Sequence, residues 1–369
     1  MLRTLILAVM LITGAGCSEK PAGDGESVPP GNDSAQPPEA APAINGADSN
    51  RAPPSALRTF MAAGDDALHQ FHQHCQQLHG AIQRFLEDSS EANWQALQPL
   101  WRQAHNHWHG SAFFVAAIDQ RPLALAHINR LLAGIHSAPI MPGYLDSIDG
   151  YPYSGLVNDT TVPMTAQAIR EQHQRFDRSE ITLGLHALEF FLWSRPLTDF
   201  QISTAGTADN LRQTRQRRRA MLSLLGELLV TDSGQLAQLW SSVGDYWLVQ
   251  PPRQFDRLLL TSALQLLLQL SKHSDLEANT YHWQLHTTEQ LQQRITQFIA
   301  PQFEPQTATT LDALFERARA ALLSLQHASE TADTDAKATM ADIEQWKKEL
   351  RTARGLLIEQ LQALTTTFH

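Results

Sequence analysis

His186 and Glu189 interrupt a stretch that is otherwise apolar from Ile181 to Trp193. Three residues apart on a helix, an imidazole and a carboxylate sit on adjacent turns of one face. A carboxylate taken into such surroundings is costly unless it is paired or holds a cation. Two arrangements answer that demand. One is a His–Glu hydrogen bond that ties the helix to its neighbours. The other is a metal site, in which the pair forms a two-ligand clip suited to zinc or iron and needs one or two further ligands from another helix. Thr182 and Trp193 complete the same stripe. Gly184 lets a neighbouring backbone approach closely, at a modest helix penalty.

Other residues compete for the same chemistry. The chain has 16 histidines, and eleven of them fall between His69 and His186. His105 stands four residues from Trp101 and three from Trp108, so it faces near the core, either as a hydrogen-bonded core histidine or as a nitrogen ligand. His107 and His109 point elsewhere on that helix and read as solvated. His69, His72 and His79 lie on the shoulder of an earlier helix and also read as a solvated face. His282 and His286 are spaced to clip a metal, but no acid accompanies them. Cys75 reads as core.

Nearly every long segment that must carry these groups has helical period, and no alternating run of Val, Ile and Thr suggests a sheet, so the class is all-α. A first helix over 56–87 sets Leu68, Phe71, Cys75, Leu78, Ile82 and Phe85 in one apolar stripe. A second, from about Ser90, buries Trp94, Leu97, Trp101, Ala104 and Trp108. A third is expected around 119–134. The stretch from Pro139 to Pro163, with Gly143-Tyr144, Asp149-Gly150-Tyr151-Pro152 and Asn158-Asp159, reads as a long loop that either covers a site or connects elements. Asp177-Arg178-Ser179-Glu180 has the spacing of a helix start, which predicts a helix from there to Trp193, ending before Pro196. Helices are expected over 220–231, 234–248, 254–274, 280–299, 305–327 and 334–366. The basic run Arg215 to Arg219 reads as a solvated face.

Gly184-Leu185-His186-Ala187-Leu188-Glu189-Phe190-Phe191-Leu192-Trp193 resembles the Gly-x-His-x-x-Glu signature of imelysin-like proteins, the peptidase M75 group. Trp101-x-x-Ala104-x-x-x-Trp108, the Gly150-Tyr151-Pro152 loop and Arg218-Arg219 leading to Trp240 extend the resemblance over most of 60–330. It implies an all-α fold of two four-helix-bundle-like halves packed together, here 56–205 and 206–369. It also implies a site around His186 and Glu189 near their junction, supported by Gly184, and a role linked to iron or another divalent metal. The sequence departs from the family pattern where His105 follows the Ala in place of Arg, and where Ala112 replaces an acid a few residues on. His105 is then a candidate third ligand. Iron or zinc is the expected cofactor, a metallopeptidase the alternative reading, and a scaffold or receptor component with a decayed metal site a second alternative. A peptidase needs a third ligand, an open coordination position and a general base, and no His-Glu-x-x-His motif supplies them.

Residues 1–16 pair a charged start with an apolar run and small residues before Cys17, the pattern of a secretory signal. The run is too short to span a bilayer. Small residues before a Cys resemble the lipobox of bacterial lipoproteins, apart from Gly14 where a larger aliphatic residue is usual, and so imply lipid on Cys17. No Asp follows at the position that would suggest inner-membrane retention, so a periplasm-facing lipoprotein of the outer membrane is expected, with an envelope transport partner. Residues 17–55 carry that Cys and a Pro-, Gly- and Ala-rich tether. The formal charge is −10, and the mildly acidic body argues against nucleic acid as a partner. Cys17 and Cys75 are the only cysteines, so with the first lipidated no internal disulfide remains.

Overall fold

The computed structural model describes residues 55–119, 125–202, 209–248, 250–272, 281–331 and 336–366. The expected signal, Cys17 and the tether through residue 54 lie outside the described residues, and Ser55, the last residue expected in the tether, opens the first helix. Among the described residues the chain is all-α, with one isolated bridge between Ile148 and Tyr151 and no named strand. The helices are α1 (Ser55–Glu87), α2 (Glu91–Gln95), α3 (Leu97–Asp119), α4 (Leu125–Ile135), α5 (Pro142–Leu145) and α6 (Ala166–Gln172). They continue with α7 (Gly184–Ser194), α8 (Asp209–Leu248), α9 (Pro252–Lys272), α10 (Tyr281–Phe298), α11 (Pro305–Thr331) and α12 (Ala336–Thr366). None is long and apolar enough to cross a membrane.

The apolar stripe of α1 is buried as its spacing predicts, from Leu68 through Phe85. It packs antiparallel along α8, where successive residues of α1 meet α8 in reverse order: His72 rests against Gly234 and His79 against Gly226. These two histidines therefore pack against a helix instead of facing solvent, because glycine leaves room for an imidazole at the contact. The converse holds at Gly64, where an added Cβ would lie 2.1 Å from the Trp240 ring. Phe60 joins five elements at one point, with ring contacts to Phe113 and Phe114 of α3, Trp240 of α8, Phe255 of α9 and Phe298 of α10. The core is thus continuous across residues 205–206, and α8 packs against α1, α4 and α7 while α9 to α12 pack among themselves and onto α3.

Three local expectations are corrected. The helix expected from Asp177 begins instead at Gly184. The capping-type side chains close a turn: Asp177 accepts from the backbone N–H and hydroxyl of Ser179, and Glu180 accepts from the N–H groups of Phe176 and Asp177. The helices expected over 220–231 and 234–248 are one element, continuous through Gly234. The basic run is not a solvated face. Arg217 donates to the carbonyls of Leu156, Val157, Asp159 and Val162, and Arg219 to those of Leu86 and Phe200. Arg218 grips the fully buried carboxylate of Asp146 through Nε at 2.6 Å and Nη2 at 3.1 Å, with Arg195 beside it. The 139–163 stretch is therefore a connector fixed onto α8 by its arginines, since its free carbonyls need donors and the guanidinium forks supply several each.

Candidate metal centre

Three imidazoles meet where α3, α4 and α7 converge. His105 comes from the third turn of α3, His136 follows the last residue of α4, and His186 lies in the first turn of α7. The Nε2 atoms of His105 and His136 are 3.3 Å apart, and those of His186 and His136 are 3.1 Å apart. One ligand atom from each of the three lies within 4.8 Å of the others. A tetrahedral ion held at zinc–nitrogen distances of 2.0–2.1 Å places its nitrogens about 3.3–3.4 Å apart, so the two spacings at His136 are compatible with a ligand set. The protons lead to the same conclusion. His186 donates from Nδ1 to Glu189 Oε2 at 2.7 Å, which leaves its Nε2 with a lone pair facing His136. A single proton on His136 Nε2 can serve one of its two nitrogen neighbours well, and a cation at the centre would serve all three. The donor set therefore fits a metal.

Each ring is held by specific neighbours. Trp101 stacks on His105 at 4.6 Å and 14°, and its Nε1–H donates to the carbonyl of Leu185 at 2.7 Å, so one indole orients one ligand and fixes the helix that carries another. Trp283 meets His105 edge-on at 4.1 Å, and Trp108 stacks on His136 at 5.4 Å. His105 is buried, while 19% of the His186 side chain and 37% of the Glu189 side chain are exposed, so the centre opens on the α7 side.

Gly184 sets the junction of α4 and α7. It is the first residue of α7, with φ of +80°, and an added Cβ would lie 2.3 Å from the Ile135 carbonyl oxygen. Both the left-handed backbone and the contact call for glycine. The contact brings residue 135 against residue 184, and hence His136 beside His186. His173 fastens the same junction. Its Nδ1 accepts from the Thr182 N–H at 3.1 Å and its Nε2–H donates to the Ala133 carbonyl at 3.1 Å, which fixes it as the neutral ring.

Burial pushes the His173 pKa down to about 4, against its bond to Ala133 and with the help of Arg170. Unfolded, the ring titrates near its ordinary value of about 6.5. Between those values the unfolded chain binds the extra proton, so the stabilisation from neutral His173 is complete above about pH 6.5 and is lost as pH falls toward 4. The expected loss is on the order of 2–3 kcal/mol. Urea unfolding of wild type and His173→Gln at pH 7 and pH 4.5 checks this, with the variant showing the shallower pH dependence.

The sequence-derived candidates are distributed as follows. His186 and His105 are brought together. Glu189 stands behind His186, bonded to the nitrogen that faces away from the cluster, in the position of an orienting carboxylate. His136 is the member that sequence reasoning missed, because a histidine closing a short helix has no local pattern to single it out. His107 stacks on His74 at 4.1 Å, and His109 donates from Nδ1 to Thr287 Oγ1 at 2.7 Å, so neither is simply solvated. His286 donates from Nε2 to the carbonyl of Asn106. The His282 side chain lies outside the described residues.

A family model, peptidase M75, described as Imelysin, matches residues 65–270, more than half of the chain. The match takes in α3, α4 and α7 and therefore all three histidines. A search of curated proteins found no match.

Proposed function

The chain belongs to the imelysin family, and from that premise we propose that it binds a divalent transition metal, iron(II) or zinc, through His105, His136 and His186 in a cell-envelope role linked to iron uptake or homeostasis. The observation that carries the reading is the convergence of three Nε2 atoms at 3.1 and 3.3 Å. Imidazole donors suit iron and zinc better than the hard ions magnesium and calcium, which prefer oxygen. Glu189 polarises His186 through Nδ1, and the indoles of Trp101 and Trp108 keep the rings from rotating away. Loading the protein with each of these four ions and following thermal unfolding tests the preference. Iron(II) and zinc are expected to raise the unfolding temperature, and magnesium and calcium to leave it unchanged. Glu189→Gln is expected to weaken binding by about 10–100-fold, the usual cost of losing a carboxylate behind a ligating histidine. Equal stabilisation by all four ions would contradict the reading.

Three protein ligands is also the donor count of hydrolytic zinc sites. That arrangement supports a peptidase as the second reading. Glu189 accepts from His186 through Oε2, which leaves only its Oε1 to act as a base. Cleavage of unfolded peptides by the metal-loaded protein, abolished in His186→Ala, would establish the second reading over carriage alone.

The sequence of residues 1–17 supports export and a lipid on Cys17, with residues 18–54 as a tether that holds the helical body near the outer membrane within reach of a transport partner. Incorporation of labelled palmitate in cells, lost in Cys17→Ser, is the expected result.

A further inference from the structure

A groove of about 360 Å³ lies between α1 and α10 over α3, lined by polar groups, among them Asp66, Gln70, Asn106, Gln290 and Arg294. It is separate from the histidine centre, none of whose three ligands lines it. Its two charges are of opposite sign and come from different helices. The Arg294 guanidinium is half-buried, with its carbon 5.1 Å over the Phe114 ring. It makes one long hydrogen bond, from Nη1 to Gln297 Oε1 at 3.3 Å, and its Nε is buried without a hydrogen-bond partner among the described residues. Asp66 accepts from Gln70 Nε2 at 2.8 Å. Burial lowers the Arg294 pKa while the Asp66 carboxylate works to raise it, so the two groups share a field. Among the described residues they form no ion pair within 4.0 Å.

A guanidinium withdrawn from water needs acceptors, and a planar fork is best served by a carboxylate. Asp66 is not that carboxylate, since the two groups form no ion pair within 4.0 Å among the described residues. Held apart, the two charges instead frame a space complementary to a small molecule that carries both signs. We propose that this groove binds a free α-amino acid, its carboxylate received by Arg294 and its ammonium by Asp66. The carboxamides of Asn106 and Gln290 are then available to a polar side chain, while Gln70 holds Asp66. The volume is at the small end of ligand pockets, as a ligand of amino-acid size requires. The proposal is independent of the metal reading.

Calorimetric titration of the full chain tests it, with L-alanine, L-glutamine and L-glutamate as probes. At least one is expected to bind saturably, with one site per chain. For glutamine, glutaramic acid lacks the ammonium and L-glutaminamide lacks the α-carboxylate. Removing either charge from the ligand, or replacing Arg294→Gln or Asp66→Asn in the protein, is expected to weaken binding about tenfold or more. His186→Ala is expected to leave it unchanged. Asp66 is exposed, so Asp66→Asn leaves the core untouched and reads the site even if Arg294→Gln weakens the fold. The proposal is overturned by no saturable heat from any of the three probes up to about 10 mM. It is equally overturned by binding that the single-charge analogues match, or that both substitutions leave unaltered.

Discussion

Replacing His136 by Ala is expected to lower metal affinity more than a hundredfold while leaving the helical content intact. Removing a carboxylate behind a ligating histidine costs about 10–100-fold, and removing the ligand itself should cost more. His136 is the middle member of the cluster, in contact with both other rings, so its loss leaves two imidazoles, with ring centroids 5.5 Å apart, in place of three. It is only partly buried and closes a helix instead of filling the core, which limits the structural damage. Competition against a chromophoric chelator measures the change. His69→Ala is the control, since His69 is exposed and bonded to the Asp65 carbonyl on α1. Equal losses in the two variants would show that the effect is not specific to the centre.

Asp146→Asn is expected to produce the largest loss of stability. Asp146 is fully buried and compensates Arg218, itself 4% exposed at its side chain. Asparagine preserves the shape but removes the buried counter-charge of Arg218 and leaves it only the more exposed Asp199 carboxylate at 3.8 Å, and breaking a buried pair typically costs about 3–5 kcal/mol. Arg218 also holds the Asp199 carbonyl, and Arg195 stands beside the same carboxylate. The connector between α4 and α7 therefore loosens from α8 together with the ion pair. Urea unfolding should show the loss as a lower midpoint. Replacing both partners by apolar residues, Asp146→Leu with Arg218→Met, should cost less than the single change, because Arg218 is removed with its partner and Arg195 keeps Asp199 at 3.8 Å.

Much of the architecture was legible because it rests on local pattern. The spacing of Leu68 to Phe85 decided the buried face of α1, and the tryptophan spacing decided that of α3. The pair His186 and Glu189 was also visible, since polar groups in an apolar helix demand a partner. The expected hydrogen bond to Glu189 is present, and it turns Nε2 of His186 toward the other rings. Gly184 permits close approach, as its residue type implies, and the approach is to the end of α4. Its place at the start of the helix, with positive φ, was not visible, because Asp177, Ser179 and Glu180 imitate a cap while closing a turn of their own.

What sequence could not reveal depends on partners distant in the chain. The guanidinium groups of 217–219 look like a solvated run until the carbonyls of residues 156–162 and 200 are brought to them. His136 has no helical neighbour that marks it, and it becomes a candidate only when Gly184 draws α4 against α7. His105 could be ranked only between core and ligand, since the choice rests on where α4 ends in space. In each case the missing information was the identity of a group contributed by another element.

The most direct test of the central claim is X-ray absorption at the zinc edge of the protein loaded with one equivalent of zinc. The expected result is a first shell containing nitrogen at about 2.0–2.1 Å, with the outer-shell pattern of three imidazoles reduced to two in His136→Ala. A first shell of oxygen alone, or an imidazole pattern that His136→Ala leaves unchanged, would contradict it.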